Sequence, residues 1–130
     1  MVKIILITHG TLGECLLDTV SAISGCNKQN ILVLSVSGKV NLEETESKIK
    51  EYSAESGALV LVDSFGGTSC NIALKCSAEM QDIYIVCGVN LCMLLSALHN
   101  QEKLSSRELA AKVTEDGKKA IIEATEFFKK

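Results

Sequence analysis

Residues 58–69 read ALVLVDSFGGTS. The first part of this stretch is a continuous run of aliphatic side chains, without alternating polar positions. Such a run is typical of a strand buried on both faces, as in a parallel sheet covered by helices. Asp63 ends the run, and Gly66 and Gly67 precede a segment with helical spacing. The stretch therefore predicts a strand, a tight loop and a helix, which is the repeating unit of an α/β fold.

Three other apolar runs share this composition, and segments with helical spacing separate them. The four predicted strands cover residues 2–8, 31–36, 58–63 and 83–88. Parallel strands need crossover connections long enough to hold a helix, and these gaps supply them. The predicted fold is a doubly wound, three-layer α/β/α domain with a mostly parallel four-stranded sheet. A chain of 130 residues forms one such domain, so we assign residues 1–130 to a single domain.

Charge and composition argue against several classes of protein. A net charge of −3 and a single arginine, Arg107, provide no basic surface for nucleic acid. No apolar run approaches the ~20 residues of a membrane span, and no signal-peptide pattern is present, so we expect a cytoplasmic protein. The six cysteines form no CxxC pair and the two histidines are far apart. We therefore expect buried free thiols, no metal site and no cofactor.

The residues that follow the predicted strands carry the candidate chemistry. Ligands of open α/β sheets bind beyond the carboxyl ends of the strands. The first strand ends in Thr8-His9-Gly10, and the fourth in Gly88-Val89-Asn90. His9 would be exposed there, close to a helix N-terminus that favours anions. His9 is therefore the candidate nucleophile for a phosphoryl group.

Asp63 and the glycine loop supply the other parts of a phosphoryl site. The carboxylate of Asp63 could accept a hydrogen bond from one ring nitrogen of His9 and leave the other nitrogen directed outward. Taken alone, Asp63 is equally consistent with a turn or a helix cap. Backbone amides of a glycine-rich loop and a hydroxyl can bind phosphate oxygens. The predicted phosphate-binding residues are Gly10, Gly66, Gly67 and Thr68.

Three segments together resemble the signatures of the mannose-family IIA components of the sugar phosphotransferase system (mannose, fructose and sorbose type). They are ILITHG at 5–10, VDSFGGT at 62–68 and GVNL at 88–91. The resemblance spans essentially the whole chain and implies a phosphotransferase with a phosphohistidine at His9, oriented by Asp63. It implies that the phosphocarrier protein HPr donates the phosphoryl group and that a IIB component receives it for sugar uptake and phosphorylation. It also implies a homodimer.

The sequence departs from this family at two positions. Ser69 and Cys92 stand where the family usually has proline. Neither position supplies the reactive group, so the differences bear on loop rigidity and on the choice of partner. The sequence does not name the sugar. The resemblance implies that the membrane components of the system, and not the IIA component, select the sugar.

Other functions use the same residues. A regulatory phosphoacceptor domain would employ His9 identically, and a flavodoxin-like module could bind a small ligand in the loop at 8–11. A histidine phosphatase would need arginines around the phosphate, and Thr8 stands where the first of them would lie. A response-regulator receiver would need an acidic pair after the first strand, where Thr8 and His9 stand instead.

The hydrophobic fraction of 47% is high for so short a chain and predicts a homodimer. We expect its interface on the edge of the fourth strand and on the helix after Asn90, which is apolar nearly all round. The apolar residues of that helix are Leu91, Met93, Leu94, Leu95 and Leu98.

Overall fold

The computed structural model describes residues 1–129. Each strand in this part of the chain lies within two residues of a predicted run: β1 (Lys3–His9), β2 (Ile31–Val36), β3 (Ala58–Val62) and β4 (Ile83–Cys87). The strands form one sheet in the order β2-β1-β3-β4, and each neighbouring pair is parallel. The predicted α/β class with a parallel four-stranded sheet is confirmed.

Helices connect the strands and cover both faces of the sheet. They are α1 (Leu12–Ser24), α2 (Leu42–Ser53), α3 (Thr68–Glu79), α4 (Leu91–Asn100), α5 (Ser106–Lys119) and α6 (Ala124–Phe128), with a 3₁₀ turn at Lys28–Asn30. Helices α1, α4 and α5 pack on one face, whereas α2 and α3 pack on the other. The predicted three layers are thus confirmed. Within residues 1–129, no helix is both long and apolar enough to span a membrane.

The two inner strands, β1 and β3, explain the continuous apolar runs of the sequence. Ile4 to Ile7 and Leu59 to Val62 have no exposed surface. Successive side chains of a strand point to opposite faces. Leu6 therefore enters the core beneath α1, α4 and α5, while Ile5 enters the core beneath α2 and α3. A polar residue at either position would be buried without water, which is why the runs contain none.

The sequence predicts a last helix that begins with a Ser105–Glu108 capping box, carries Ile121 and Phe128 on its apolar face and is interrupted at Gly117. The structure interrupts it after Lys119 instead. The helix begins as expected, with Ser105 and Glu108 forming a reciprocal capping box. A second helix, α6, then starts after Glu123, whose carboxylate accepts a hydrogen bond from the Glu126 amide. Every side chain from 118 to 129 is exposed, so no packing surface stabilises one longer helix there. Two residues expected on its apolar face, Ile121 and Phe128, are consequently 80% and 83% exposed.

Helix α4 lies largely inside the domain. Met93 and Leu94 are buried in the core that α4 shares with α1 and α5. Those residues were expected at a dimer interface, and that placement is wrong. The apolar side chains of α4 that remain partly accessible are Leu91, Leu95 and Leu98.

The six cysteines are free thiols, but the expectation that all are buried is wrong. Cys70 and Cys76 on α3 are buried, and Cys26 and Cys87 are partly buried. The exposed thiols, on the first turns of α1 and α4, are Cys15 and Cys92.

The pairing register of the sheet positions the candidate site. All strands are parallel, so their carboxyl ends lie at the same edge. His9 is level with Val36 of β2, and Ile7 is level with Val62 of β3. Asp63, the next residue after Val62, is thereby brought beside the end of β1. The end of β4 lies on the far side of β3.

Close packing between α5 and α4 depends on Gly117. A methyl group added at Gly117 would lie 2.5 Å from Cγ and 2.9 Å from Sδ of Met93. We expect Gly117→Ala to lower the free energy of unfolding by about 1–3 kcal/mol through this overlap, measured by urea unfolding. Ala111→Gly, at an exposed position of the same helix, calibrates the intrinsic helix preference, about 1 kcal/mol in favour of alanine. A Gly117→Ala protein as stable as the parent would show that Met93 moves aside without cost.

Candidate functional site

His9 and Asp63 form a hydrogen-bonded pair at the carboxyl edge of the sheet. Oδ2 of Asp63 lies 2.7 Å from Nδ1 of His9 and accepts a second hydrogen bond, of 2.8 Å, from the backbone amide of His9. The Asp63 side chain is 13% exposed, whereas the His9 side chain is 55% exposed. The carboxylate is thus sheltered behind the ring, and the ring faces outward.

The ionisation of Asp63 determines which ring nitrogen is available. Burial alone would raise the pKa of Asp63, but hydrogen bonds from the amide and ring of His9, and attraction to the ring when it is charged, hold that pKa below its usual value. Asp63 is therefore a carboxylate at neutral pH and only accepts hydrogen bonds. Nδ1 of a neutral His9 ring must carry the proton, which leaves the lone pair on Nε2. Within residues 1–129, Nε2 has no hydrogen-bond partner.

The glycine loop between β3 and α3 runs beside the ring. A methyl group added at Gly67 would lie 3.7 Å from Cε1 of His9, the ring carbon between the two nitrogens. Gly67 is the residue before α3, so the positive end of that helix lies next to the ring. Gly66 has a φ of +83°, a left-handed conformation that glycine adopts without strain. This geometry agrees with an anion-binding loop.

A cavity of about 290 Å³ adjoins the histidine. His9 and Thr68, the first residue of α3, lie on its wall together with the segment that joins β2 to α2. That segment is missing from the sequence-based set of site residues. Its signal was available, because the end of β2 lies at the same sheet edge and carries Ser37 and Gly38. The lining residues from this segment are Val36, Ser37, Gly38, Val40 and Leu42.

Gly10 and Thr8, the two neighbours of His9, anchor the backbone at the end of β1. Gly10 has a φ of +55°, and its carbonyl accepts a 2.6 Å hydrogen bond from Oγ of Ser35 on β2. Just before the site, the buried Oγ1 of Thr8 accepts a 2.7 Å hydrogen bond from the amide of Gly13 in the first turn of α1. These contacts fix the backbone on both sides of His9.

One predicted feature, the end of the fourth strand, lies away from the site. The turn at 88–90 is bound to β3, since the amides of Gly88 and Val89 donate to the carbonyl of Val62. Asn90 caps α4 by accepting a hydrogen bond from the Met93 amide. Gly88 and Asn90 line a different cavity from His9, because β3 stands between β1 and β4. These residues shape the turn after β4 and do not meet the ring.

The second histidine, His99, is remote from this edge. It lies in the last turn of α4. Gln101, just beyond α4, is hydrogen-bonded to Val2 at the start of β1, so His99 lies near the opposite end of the strands. Within the described residues, no three potential metal-ligating side chains form a cluster.

Comparison with known proteins identifies the family. Residues 3–114 match the family described as EIIA-man, the fructose IIA component of the phosphotransferase system (PTS). The chain belongs to this family. It is 32% identical over 112 residues to the fructose-specific EIIA component of the PTS from Bacillus subtilis, covering 84% of this chain and 77% of that protein.

A second relative and a solved structure also resemble this chain, and they differ in how much of their own length the match covers. The chain is 26% identical over 125 residues to the mannose-specific EIIAB component of the PTS from Escherichia coli strain K12. That match covers 92% of this chain but 38% of the relative, so the chain spans well under half of that protein. The fold agrees with a PTS component EIIA from Streptococcus agalactiae at a TM-score of 0.87, covering 96% of this chain and 98% of that one at 24% identity.

The lowered pKa of Asp63 predicts a pH-dependent contribution to stability. The pKa in the folded protein is below the value of the unfolded chain, so the stabilisation is present above about pH 4 and is lost as the pH falls through the folded pKa. We expect Asp63→Asn to lower the free energy of unfolding at pH 7, with a difference from the parent that is retained down to about pH 4 and shrinks as the pH falls further. Urea unfolding across this range provides the measurement.

The matched control for that experiment is Asp18→Asn. Asp18 forms an exposed ion pair with Lys28 and should contribute little to stability at any pH. A stability difference for Asp63→Asn that stays constant from pH 7 to pH 3 would contradict the role of the charge.

Proposed function

We propose that this IIA-family chain is a phosphohistidine carrier. It accepts a phosphoryl group from phospho-HPr on Nε2 of His9 and transfers it to a IIB component, in support of sugar uptake and phosphorylation in the cytoplasm. The observation that carries the proposal is the pairing of Nδ1 with Asp63, which leaves Nε2 as the free nitrogen of a half-exposed ring. Gly10, Gly66, Gly67 and Thr68 are proposed to form the phosphate-binding loops.

The proposed transfer is a displacement at phosphorus. The lone pair of Nε2 attacks the phosphorus, and the bond from phosphorus to the donor's nitrogen breaks as the new bond forms. The ring gains positive charge because Nδ1 keeps its proton, and the carboxylate of Asp63 stabilises that charge. In this proposal the amide end of α3 and the hydroxyl of Thr68, a residue that lines the cavity beside His9, bind the phosphoryl oxygens. Attack by a IIB nucleophile on the same phosphorus reverses the steps.

Accessibility favours a protein partner over a small substrate. The ring lies at the protein surface beside an open cavity, and Phe65, in the adjoining loop, is 83% exposed. An exposed aromatic side chain beside a reactive group is typical of a docking contact. The site therefore suits two proteins that reach Nε2 in turn.

The position of the arginine argues against a phosphatase. Arg107 lies in the first turn of α5, next to Ser106, whose Oγ would be 3.4 Å from a methyl group at Gly57 before β3. This is the amino end of the sheet, opposite to His9. A phosphate bound at His9 would thus have no guanidinium beside it, whereas histidine phosphatases depend on such groups.

Replacement of the two histidines separates the proposed acceptor from the rest of the chain. With phosphoenolpyruvate, enzyme I and HPr, the parent protein should gain one acid-labile phosphoryl group, and His9→Ala should gain none because Nε2 is absent. His99→Ala should be phosphorylated normally, since His99 lies at the other end of the strands. Intact-protein mass spectrometry provides the measurement. Phosphorylation that survives His9→Ala would contradict the assignment.

We also propose that the chain forms a homodimer, through the expected edge of β4 together with a C-terminal apolar patch that takes the place expected for α4. The C-terminal apolar patch consists of Ile121, Ile122, Phe127 and Phe128, which are 80%, 55%, 59% and 83% exposed. Ile121 lines a cavity together with Val86 and Gly88 at β4, so the patch continues onto the edge strand. Apolar surface of this kind is commonly covered in symmetric pairs, and it leaves the His9 cavity open.

Sedimentation equilibrium tests the dimer at micromolar concentration. We expect the parent to show twice the 14.0 kDa mass of one chain. The double variant Ile121→Asp, Phe128→Asp should be monomeric, because it places charge in the patch. Ile23→Asp serves as the control, since Ile23 is 60% exposed on α1. A parent protein with the mass of one chain would contradict the dimer without affecting the chemistry of His9.

A further inference from the structure

Ser69 is completely buried beneath the candidate site. It is the second residue of α3 and has no exposed surface. Its Oγ lies 3.4 Å from Oδ1 of Asp63, the carboxylate oxygen that does not contact His9. A buried hydroxyl needs a hydrogen-bond partner. Within residues 1–129, Oδ1 of Asp63 is the partner that the structure records for the Ser69 hydroxyl.

We propose that Ser69 is a positioning residue for phosphoryl transfer, acting on His9 through Asp63. This proposal rests on the function proposed for His9. Both hydrogen bonds to Oδ2 come from His9, at the end of β1, and neither of them engages Oδ1. Ser69 donates to the other oxygen from α3, a different element. Rotation of the carboxylate about the Cβ–Cγ bond would break the contact with Nδ1, and Ser69 opposes that rotation.

The consequence is a link between the helix and the ring. Gly67 and Thr68, just before Ser69, lie beside the ring and the cavity, where the phosphoryl oxygens are proposed to bind. Ser69 therefore couples the oxygen-binding end of α3 to the carboxylate that sets the ring tautomer. A proline at position 69, the residue usual in the resembling family, has no hydroxyl. The link is thus a feature of this chain.

The size of the effect follows from the geometry. A hydroxyl bound to a carboxylate is normally about 2.5–2.7 Å away, so a contact of 3.4 Å is weak in the unphosphorylated protein. Hydrogen bonds at reactive groups are often long before the partner binds and tighten during the reaction. We expect the loss of the hydroxyl to slow transfer about 3- to 10-fold, far less than the loss of His9.

The test compares Ser69→Ala with the parent in two measurements. The first is the rate of phosphorylation by phospho-HPr, which should fall 3- to 10-fold. The second is the ¹⁵N spectrum of the His9 ring in the unphosphorylated protein. There the parent should show protonated Nδ1 and unprotonated Nε2, and Ser69→Ala should show a mixture of tautomers. The spectrum needs no phosphoryl donor, so it tests Ser69 even if the proposed function fails.

Three further variants complete the design. Ser69→Thr keeps the hydroxyl and should retain the parent rate and spectrum. Ser77 lies on the same helix, and its hydroxyl donates a hydrogen bond to the Leu74 carbonyl. Ser77→Ala removes this hydroxyl and should change neither measurement. In an Asp63→Asn background, Ser69→Ala should cause no further slowing, because its effect passes through the carboxylate.

Either of two outcomes would overturn the proposal. One is a Ser69→Ala protein with the parent rate and the parent ring spectrum. The other is equal slowing by Ser69→Ala with and without Asp63, which would indicate a general effect on α3. Thermal unfolding of each variant, followed by circular dichroism, identifies any loss of folded protein, and rates are compared per folded molecule.

Discussion

A single oxygen of Asp63 holds both the backbone and the ring of His9, and the arrangement of the site depends on this contact. It joins the last residue of β1 to the residue that follows β3. The two strands are adjacent in the sheet, whereas the two residues are 54 positions apart in the chain. The contact directs Nε2 outward and keeps the proton on Nδ1. Without it, the ring of an exposed histidine would sample several rotamers, and the lone pair would have no fixed direction.

The sheet makes this contact possible because it brings functional residues together without exposing its core. The inner strands are buried on both faces, so reactive groups are confined to the strand ends and the loops beyond them. At the end of β1, Thr8 is tied to α1 and Gly10 is tied to β2, which leaves His9 as the accessible residue between them. A rigid backbone thus presents one accessible side chain, the candidate phosphoryl acceptor.

The C-terminal region illustrates what the domain does not bury. Both faces of the sheet are already covered by five helices, so the residues after α5 have no core to enter. Their apolar side chains remain exposed, with Phe127 and Phe128 packed edge to face against each other at 5.7 Å. The hydrophobic excess of the sequence was read correctly as surface left uncovered. Helix α4, expected to carry part of that surface, instead fits between α1 and α5 and buries Met93 and Leu94.

Local pattern alone determined the strands, the parallel α/β class and the candidates His9 and Asp63. Continuous apolar runs and residues at strand ends report burial and position directly, and the fold shared with a PTS component EIIA agrees with the α/β class. Strand order was decided by tertiary structure. The apolar run of a strand predicts that the strand is buried, but it does not specify its neighbours, and β1 pairs with both β2 and β3. That order excludes the turn at 88–90 from the site and adds the segment after β2. The contact of Ser69 with Asp63 likewise required the packing of α3 against the sheet, since a buried serine in a helix carries no mark in the sequence.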